Sequence, residues 1–203
     1  MAIRTANNQS LTEITAIPSA VAKGGLVLLE TITASGDATI SFTSGIDSTY
    51  KEYIFKFYDL NPADDDKKLQ FNLSIDTGSN YNVAKTTTWF SAYHDEADTE
   101  AVLGYHASND LAQGTGAQYF TESLGSGADE SAAGELYLFN PASTTYTKHF
   151  YSRVSTYYTS DYAFDTFVAG YGNTTSAVDA IQFSEESGGN FDGTIKLYGI
   201  KDS

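Results

Sequence analysis

Glu96-Ala97-Asp98-Thr99-Glu100 sets three carboxylates at alternate positions. On an extended strand, alternate side chains project to one face, so the three would line one side of a sheet. Two carboxylates placed that way can divide glycoside cleavage between a nucleophile and a general acid, with the middle one tuning their protonation. The residues between them argue against that use. Ala97 and Thr99 are small or polar, and His94-Asp95 precede the run. A stretch this rich in charge reads as a solvated acidic hairpin loop. The histidines His94, His106 and His149 lack close metal-ligand spacing, although pairing of their strands would bring His94 near His106, beside Asp95. Asp64-Asp65-Asp66 could offer loop oxygens to calcium, but the run has neither the glycine nor the ligand spacing of a defined calcium loop. No nucleophile elbow, phosphate loop or dinucleotide fingerprint is present, so no catalytic residue, metal ligand or cofactor is assigned.

The spacing of the acidic run is similar to the Glu-x-Asp-x-Glu motif of the jelly-roll retaining β-glucanases. That family places bulky apolar residues between its carboxylates, and this chain does not. Glu96, Asp98 and Glu100 are therefore expected to be dispensable. The aromatic residues are the stronger candidates for a contact surface. Trp89 and Tyr93 share a strand face with Thr87 and Ser91, and Tyr157, Tyr158, Tyr162 and Tyr171 cluster in a short stretch. Exposed aromatic platforms stack on sugar rings and also build protein interfaces, so Trp89, Tyr93, Tyr157, Tyr158 and Tyr162 are taken as candidate surface-contact residues.

The elements that must position these residues are strands. Leu69-Gln70-Phe71-Asn72-Leu73-Ser74-Ile75-Asp76 alternates apolar and polar without a break, the pattern of a half-buried strand. It predicts Leu69, Phe71, Leu73 and Ile75 buried together, with Gln70, Asn72 and Ser74 on the wet face. About eleven such segments run from Leu26 to Ile200, with turn signals at the spacing expected of a sandwich or barrel. Ser35-Gly36-Asp37 has the length and glycine of a hairpin turn joining the first two strands. The span 107–133 is the longest loop-like region, with one weak strand around Tyr119-Phe120. The expected fold is all-β: an antiparallel jelly-roll-like β-sandwich over residues 25–203, with an extended N-terminal arm over residues 1–24.

The arm is polar apart from Ile3, Leu11, Ile14, Ile17 and Val21, and Pro18 interrupts it. It cannot bury enough apolar surface to order itself. Leu11, Ile14 and Ile17 are spaced three apart, so one helical turn would present all three to a partner's groove. The chain has no cysteine, so packing and sheet hydrogen bonds must stabilise it. Its formal net charge of -15 repels phosphate backbones and makes nucleic acid a poor ligand. No apolar run is long enough to span a membrane, and the first ten residues lack the apolar core of a secretion signal.

The closing segment, Gly193-Thr194-Ile195-Lys196-Leu197-Tyr198-Gly199-Ile200, resembles the last strand of jelly-roll structural proteins of tailed bacteriophages, particularly those of marine and cyanobacterial hosts. Gly24-Gly25-Leu26-Val27-Leu28-Leu29-Glu30-Thr31, the segment Tyr50 to Phe57 and Glu135-Leu136-Tyr137-Leu138-Phe139-Asn140-Pro141 are similar to the same group. The resemblance implies a non-enzymatic virion structural protein: a fibre, appendage or decoration subunit. Its partners would be other virion proteins and further copies of itself, with a host cell-surface glycan as a candidate contact. The alternative on the same fold is a carbohydrate-binding module or a glycan-active enzyme. The resemblance carries over no catalytic or binding residue.

Overall fold

The computed structural model describes residues 25–201. The expected arm, with Leu11, Ile14 and Ile17, lies outside the described residues. Twelve antiparallel strands follow in order: β1 (Gly25–Asp37), β2 (Thr39–Phe42), β3 (Glu52–Pro62), β4 (Leu69–Ser74), β5 (Lys85–Asp95), β6 (Ala101–Tyr105), β7 (Gln118–Tyr119), β8 (Ala132–Phe139), β9 (Lys148–Tyr158), β10 (Tyr162–Gly172), β11 (Ala180–Glu185) and β12 (Phe191–Lys201). The described residues contain no helix.

The strands form two sheets, ordered β1-β12-β3-β8-β9-β10-β5-β6 and β2-β11-β4-β7. The first four strands of the large sheet and the whole small sheet follow jelly-roll wiring, with the last strand inserted beside the first and successive strands alternating between sheets. The β5–β6 and β9–β10 hairpins are additions to that plan. They extend one sheet from β8 to β6 and leave the other unextended.

The core lies where the two sheets face each other. Phe183 of β11 is its hub: its ring meets Phe55 at 5.4 Å, Phe57 at 5.5 Å, Phe120 at 5.9 Å, Phe42 at 6.2 Å and Phe71 at 6.4 Å. Phe55 and Phe57 come from the large sheet, while Phe42 and Phe71 come from strands flanking β11 in the small one. Most of these contacts are edge-on or tilted, as ring quadrupoles prefer.

Two glycines of the closing motif are explained by close approach. A bulge between Asp192 and Thr194 puts Gly193 at φ 125°, where a Cβ would lie 2.7 Å from the Asp59 carbonyl oxygen. At Gly199 a Cβ would overlap the Tyr50 ring, which packs across β12.

Three expectations need correction. Ser35-Gly36-Asp37 does not close a hairpin: β1 pairs with β12 in the large sheet, and β2 pairs with β11 in the small one. The chain changes sheets there, with Asp192 accepting the Gly36 N–H. Leu69, Phe71 and Leu73 are buried as expected, but β4 ends at Ser74 and Ile75 is exposed. Ser74 and Asp76 bind each other and the following N–H groups, which turns the chain out of the sheet. Asn72 and Ser74 are buried, because the segment after Asp76 folds back over them and Tyr81 O accepts from Asn72 Nδ2 at 2.6 Å.

Phe183→Ala removes the ring on which five other phenylalanines converge. Chemical denaturation should report a loss of about 3–5 kcal/mol, the cost of emptying a large aromatic site that cannot collapse.

Candidate functional site

The extension of the large sheet decides where a site can form, because only the edge of the small sheet reaches its inner surface, through Phe71 of β4 on Phe150 and Gln118 of β7 on Thr87. The span after β6, which includes β7, covers the rest. Thr87 donates to Gln118 Oε1 at 2.6 Å and accepts the Leu111 N–H. Gln118 donates to the Asn109 carbonyl, and Asn109 donates to Glu122 at 3.1 Å. Lys68 closes the chain on Glu122 at 2.8 Å and on Asn109 Oδ1 at 3.0 Å. Thr87, Asn109, Gln118 and Glu122 are all buried, so these bonds hold a polar lid on the sheet.

Trp89 lies under this lid and is fully buried, so it is not a surface-contact residue. Its face was read correctly, but the face is covered. The ring meets His106 edge-on at 4.8 Å, and His106 Nε2 bonds Ser91 Oγ at 2.9 Å. Among the described residues Trp89 Nε1 and the hydroxyls of Ser152, Thr156 and Thr166 have no partner, and all four belong to inner-face positions of β5, β9 and β10.

At the far ends of β5 and β10, beside the bridge that Leu124 makes to Tyr158, the inner face is open. There Tyr93, Tyr158, Tyr162 and Phe164, with Ser160 and Glu100, line an open cavity of about 270 Å³. Tyr93 and Phe164 are cross-strand partners and stack at 4.5 Å, while Tyr158 stacks on Phe164 at 4.9 Å. Tyr162 stands nearly perpendicular to Tyr158, at 86° and 5.7 Å. Glu100 caps the group, accepting from Tyr162 at 3.1 Å and from Tyr93 at 3.3 Å. The Glu100 hydrogen bond raises the Tyr162 phenol above its ordinary value, and burial first, then Glu100, raises Tyr93. Both stay protonated near neutral pH. The cavity thus offers aromatic surface, phenol hydroxyls and one carboxylate: groups that bind a polyhydroxylated ring by stacking and hydrogen bonding.

Tyr157, next in chain to Tyr158, projects to the opposite face of β9. It donates to Asp161 at 3.0 Å and to Glu96 at 3.4 Å, and Asp161 chiefly pushes its phenol up to about 12. It borders an outer-face depression with His94, Asp95, Glu96 and Asp129. The structure therefore brings together Tyr93, Tyr158 and Tyr162, and separates Trp89 and Tyr157 from them. Glu100 and Phe164 are the members that sequence reading missed; the registers of β5 against β10 and of β6 against β5 place them there.

The acidic run forms the β5–β6 hairpin loop, as expected, and its carboxylates point to different partners. Glu96 reaches Tyr157, Glu100 reaches the tyrosine cavity, and Asp98 sits at the tip with φ 56°, its side chain 92 % exposed and bonded to His94 at 3.1 Å. Asp95 organises the loop. It accepts the Thr99 N–H at 2.8 Å, the Glu100 N–H at 2.7 Å and the Thr99 hydroxyl, which together hold its carboxyl below the ordinary aspartate range. His94 and His106 are not brought together, since His106 turns inward to Ser91 while His94 faces solvent. Asp65 accepts from Thr159 at 2.8 Å and from the Ser126 N–H at 3.3 Å, tying three loops together.

On the outer face, the cross-strand row Glu135, Arg153, Phe167, Phe90, Tyr105 runs from β8 to β6. Phe90 and Phe167 stack at 4.9 Å, and Arg153 lies over Phe167 while binding Asp165 through two nitrogens. The row ends at β6, whose Val102, Leu103 and Tyr105 are exposed.

Comparison with protein-family models, curated proteins and solved structures finds no match for this chain.

Asp95→Asn tests the loop. The folded carboxyl titrates below its unfolded value, so its contribution is present above the ordinary aspartate pKa and is lost as pH falls through the folded one. Thermal melts of wild type and variant should differ at pH 7 and converge in acid.

Proposed function

We propose that this chain is a non-enzymatic structural subunit of a tailed-bacteriophage virion, a fibre, appendage or decoration protein. Residues 1–24 anchor it to other virion proteins, and it associates with further copies of itself. The edge of the large sheet carries this reading. Among the described residues β6 pairs only with β5; it contains no charged residue, no proline and no bulge, and exposes Leu103 to 73 %. Sheet edges are normally defended by charge, bulges or shortness. The opposite edge, β1, has two register shifts and carries Glu30 and Asp37, and the small sheet's edges are four and two residues long. An undefended edge on a chain of charge -15 is a surface built for pairing. Another copy presenting the same uncharged strand is its simplest partner.

The tyrosine cavity favours a second role, contact with a host cell-surface glycan. A carbohydrate-binding module is the alternative reading of the whole chain. The divergent directions of Glu96, Asp98 and Glu100 favour either over a glycosidase, whose two carboxylates must flank one bond.

Mass-spectrometric inventory of purified particles should contain the chain; an intracellular enzyme would be missing. Deleting residues 1–24 should leave the sandwich folded and abolish incorporation into particles. Leu103→Lys should leave the melting temperature within a few degrees of wild type and shift sedimentation to the monomer, since it places like charges opposite each other in a paired edge. Glycan cleavage by the wild type that is lost on replacing Glu96, Asp98 and Glu100 by their amides would reverse the non-enzymatic reading.

A further inference from the structure

Lys85 begins β5 and is fully buried. Among the described residues no carboxylate pairs with it. Its Nζ donates to the Val83 carbonyl at 2.8 Å and approaches Asn72 Oδ1 to 2.5 Å. A buried ammonium without a counter-charge is strongly disfavoured, so this lysine calls for an explanation. Lys148 supplies a contrast. It too is buried, and Gly172 pairs with both lysines, yet its Nζ meets only the Tyr146 and Thr174 carbonyls. Lys85 alone of the two faces a side-chain amide.

That amide is held on every side. Asn72 Nδ2 donates to Tyr81 O at 2.6 Å and to Thr115 O at 3.0 Å, while Oδ1 accepts the Leu73 N–H at 2.9 Å. A carbonyl bond is about 1.2 Å long, so Nζ can lie no farther than about 3.7 Å from Asn72 Cγ. This is close to the separation of a near-attack pair.

We propose that Lys85 and Asn72 join in a covalent isopeptide bond. Lys85 first gives up its ammonium proton. The neutral Nζ then adds to Asn72 Cγ, and the Leu73 N–H stabilises the charge that develops on Oδ1. The Nζ–Cγ bond forms, the Cγ–Nδ2 bond breaks, and a second Nζ proton passes to Nδ2, which leaves as ammonia. Neither oxidant nor cofactor is consumed. Burial supports the first step by lowering the Lys85 ammonium to about 8, so that free amine is present near neutral pH. Among the described residues no carboxylate binds either partner to shuttle the proton. The rate therefore rests on positioning, which in well-oriented pairs reaches effective molarities of about 10⁵–10⁸ M. The product removes the buried charge. It also joins the large sheet to the small one, since Val83 N–H bonds Leu73 O where the chain entering β5 runs beside β4. In a chain without cysteine it would do what an inter-sheet disulfide does elsewhere.

The test is the intact mass of the full purified chain after several days at mildly alkaline pH, followed by tryptic mapping under denaturing conditions. The expected result is a protein lighter by one ammonia, with no cleavage after Lys85 and a branched peptide linking the segments that hold Asn72 and Lys85. Lys85→Arg should keep its full sequence mass, and this readout does not depend on how stable the variant is. A wild-type protein of full sequence mass that trypsin cuts after Lys85 would overturn the proposal. So would loss of ammonia in both proteins, which would place the reaction at another asparagine.

Discussion

An eight-stranded sheet facing a four-stranded one leaves much of its inner surface without a partner sheet. Everything distinctive about this molecule follows from that mismatch. Where the sheets overlap, the interior is a phenylalanine core gathered around Phe183. Where they do not, the chain covers β5, β9 and β10 with irregular backbone, and irregular backbone brings polar groups that must be paired. Thr87, Gln118, Asn109, Glu122 and Lys68 meet that need. Beyond the last of them the cover ends, and the aromatic residues it would have enclosed form the walls of an open cavity. Core and cavity are two ends of one inner surface.

The two kinds of interior tolerate charge differently. Lys68 ties down the lid, half-buried, with a carboxylate beside it. Lys85 and Lys148 lie at the junction between the sheets, and their partners among the described residues are neutral oxygens. The chain has 26 acidic residues, yet among the described residues none pairs with either lysine. Carbonyls and an amide occupy the places where acids would be expected.

Alternation in the sequence locates strands well because the period of two is a property of one strand alone. It identified β4 and the shared face of Thr87, Trp89, Ser91 and Tyr93. It could not say which faces are covered, and Trp89, Asn72 and Ser74 were misjudged for that reason: their cover comes from segments far along the chain or beyond the strand's end. The turn at Ser35-Gly36-Asp37 was misread because a local signal cannot reveal that β1 pairs with β12. The cavity was half legible. Tyr158 and Tyr162 are neighbours in sequence, but adjacency also drew in Tyr157, which a strand must send to the opposite face. Glu100 entered only through the β5–β6 register. A carboxylate read as part of a solvated loop is a cap on two phenols.

The pairing of β1 with β12 also governs how the molecule comes into being. The large sheet's edge cannot form until its last strand exists, and β3 needs the same strand on one side. On the ribosome, synthesis must therefore pass β12 before the sandwich can close. Until then β3, with its nearly continuous apolar run, has neither neighbour in place on the β12 side nor a finished core beneath it. Long-range antiparallel wiring of this kind folds slowly and leaves unpaired edges open to other chains in the interval. The strong negative charge then acts as protection during synthesis, keeping nascent copies apart through the period when β1 and β3 wait for β12.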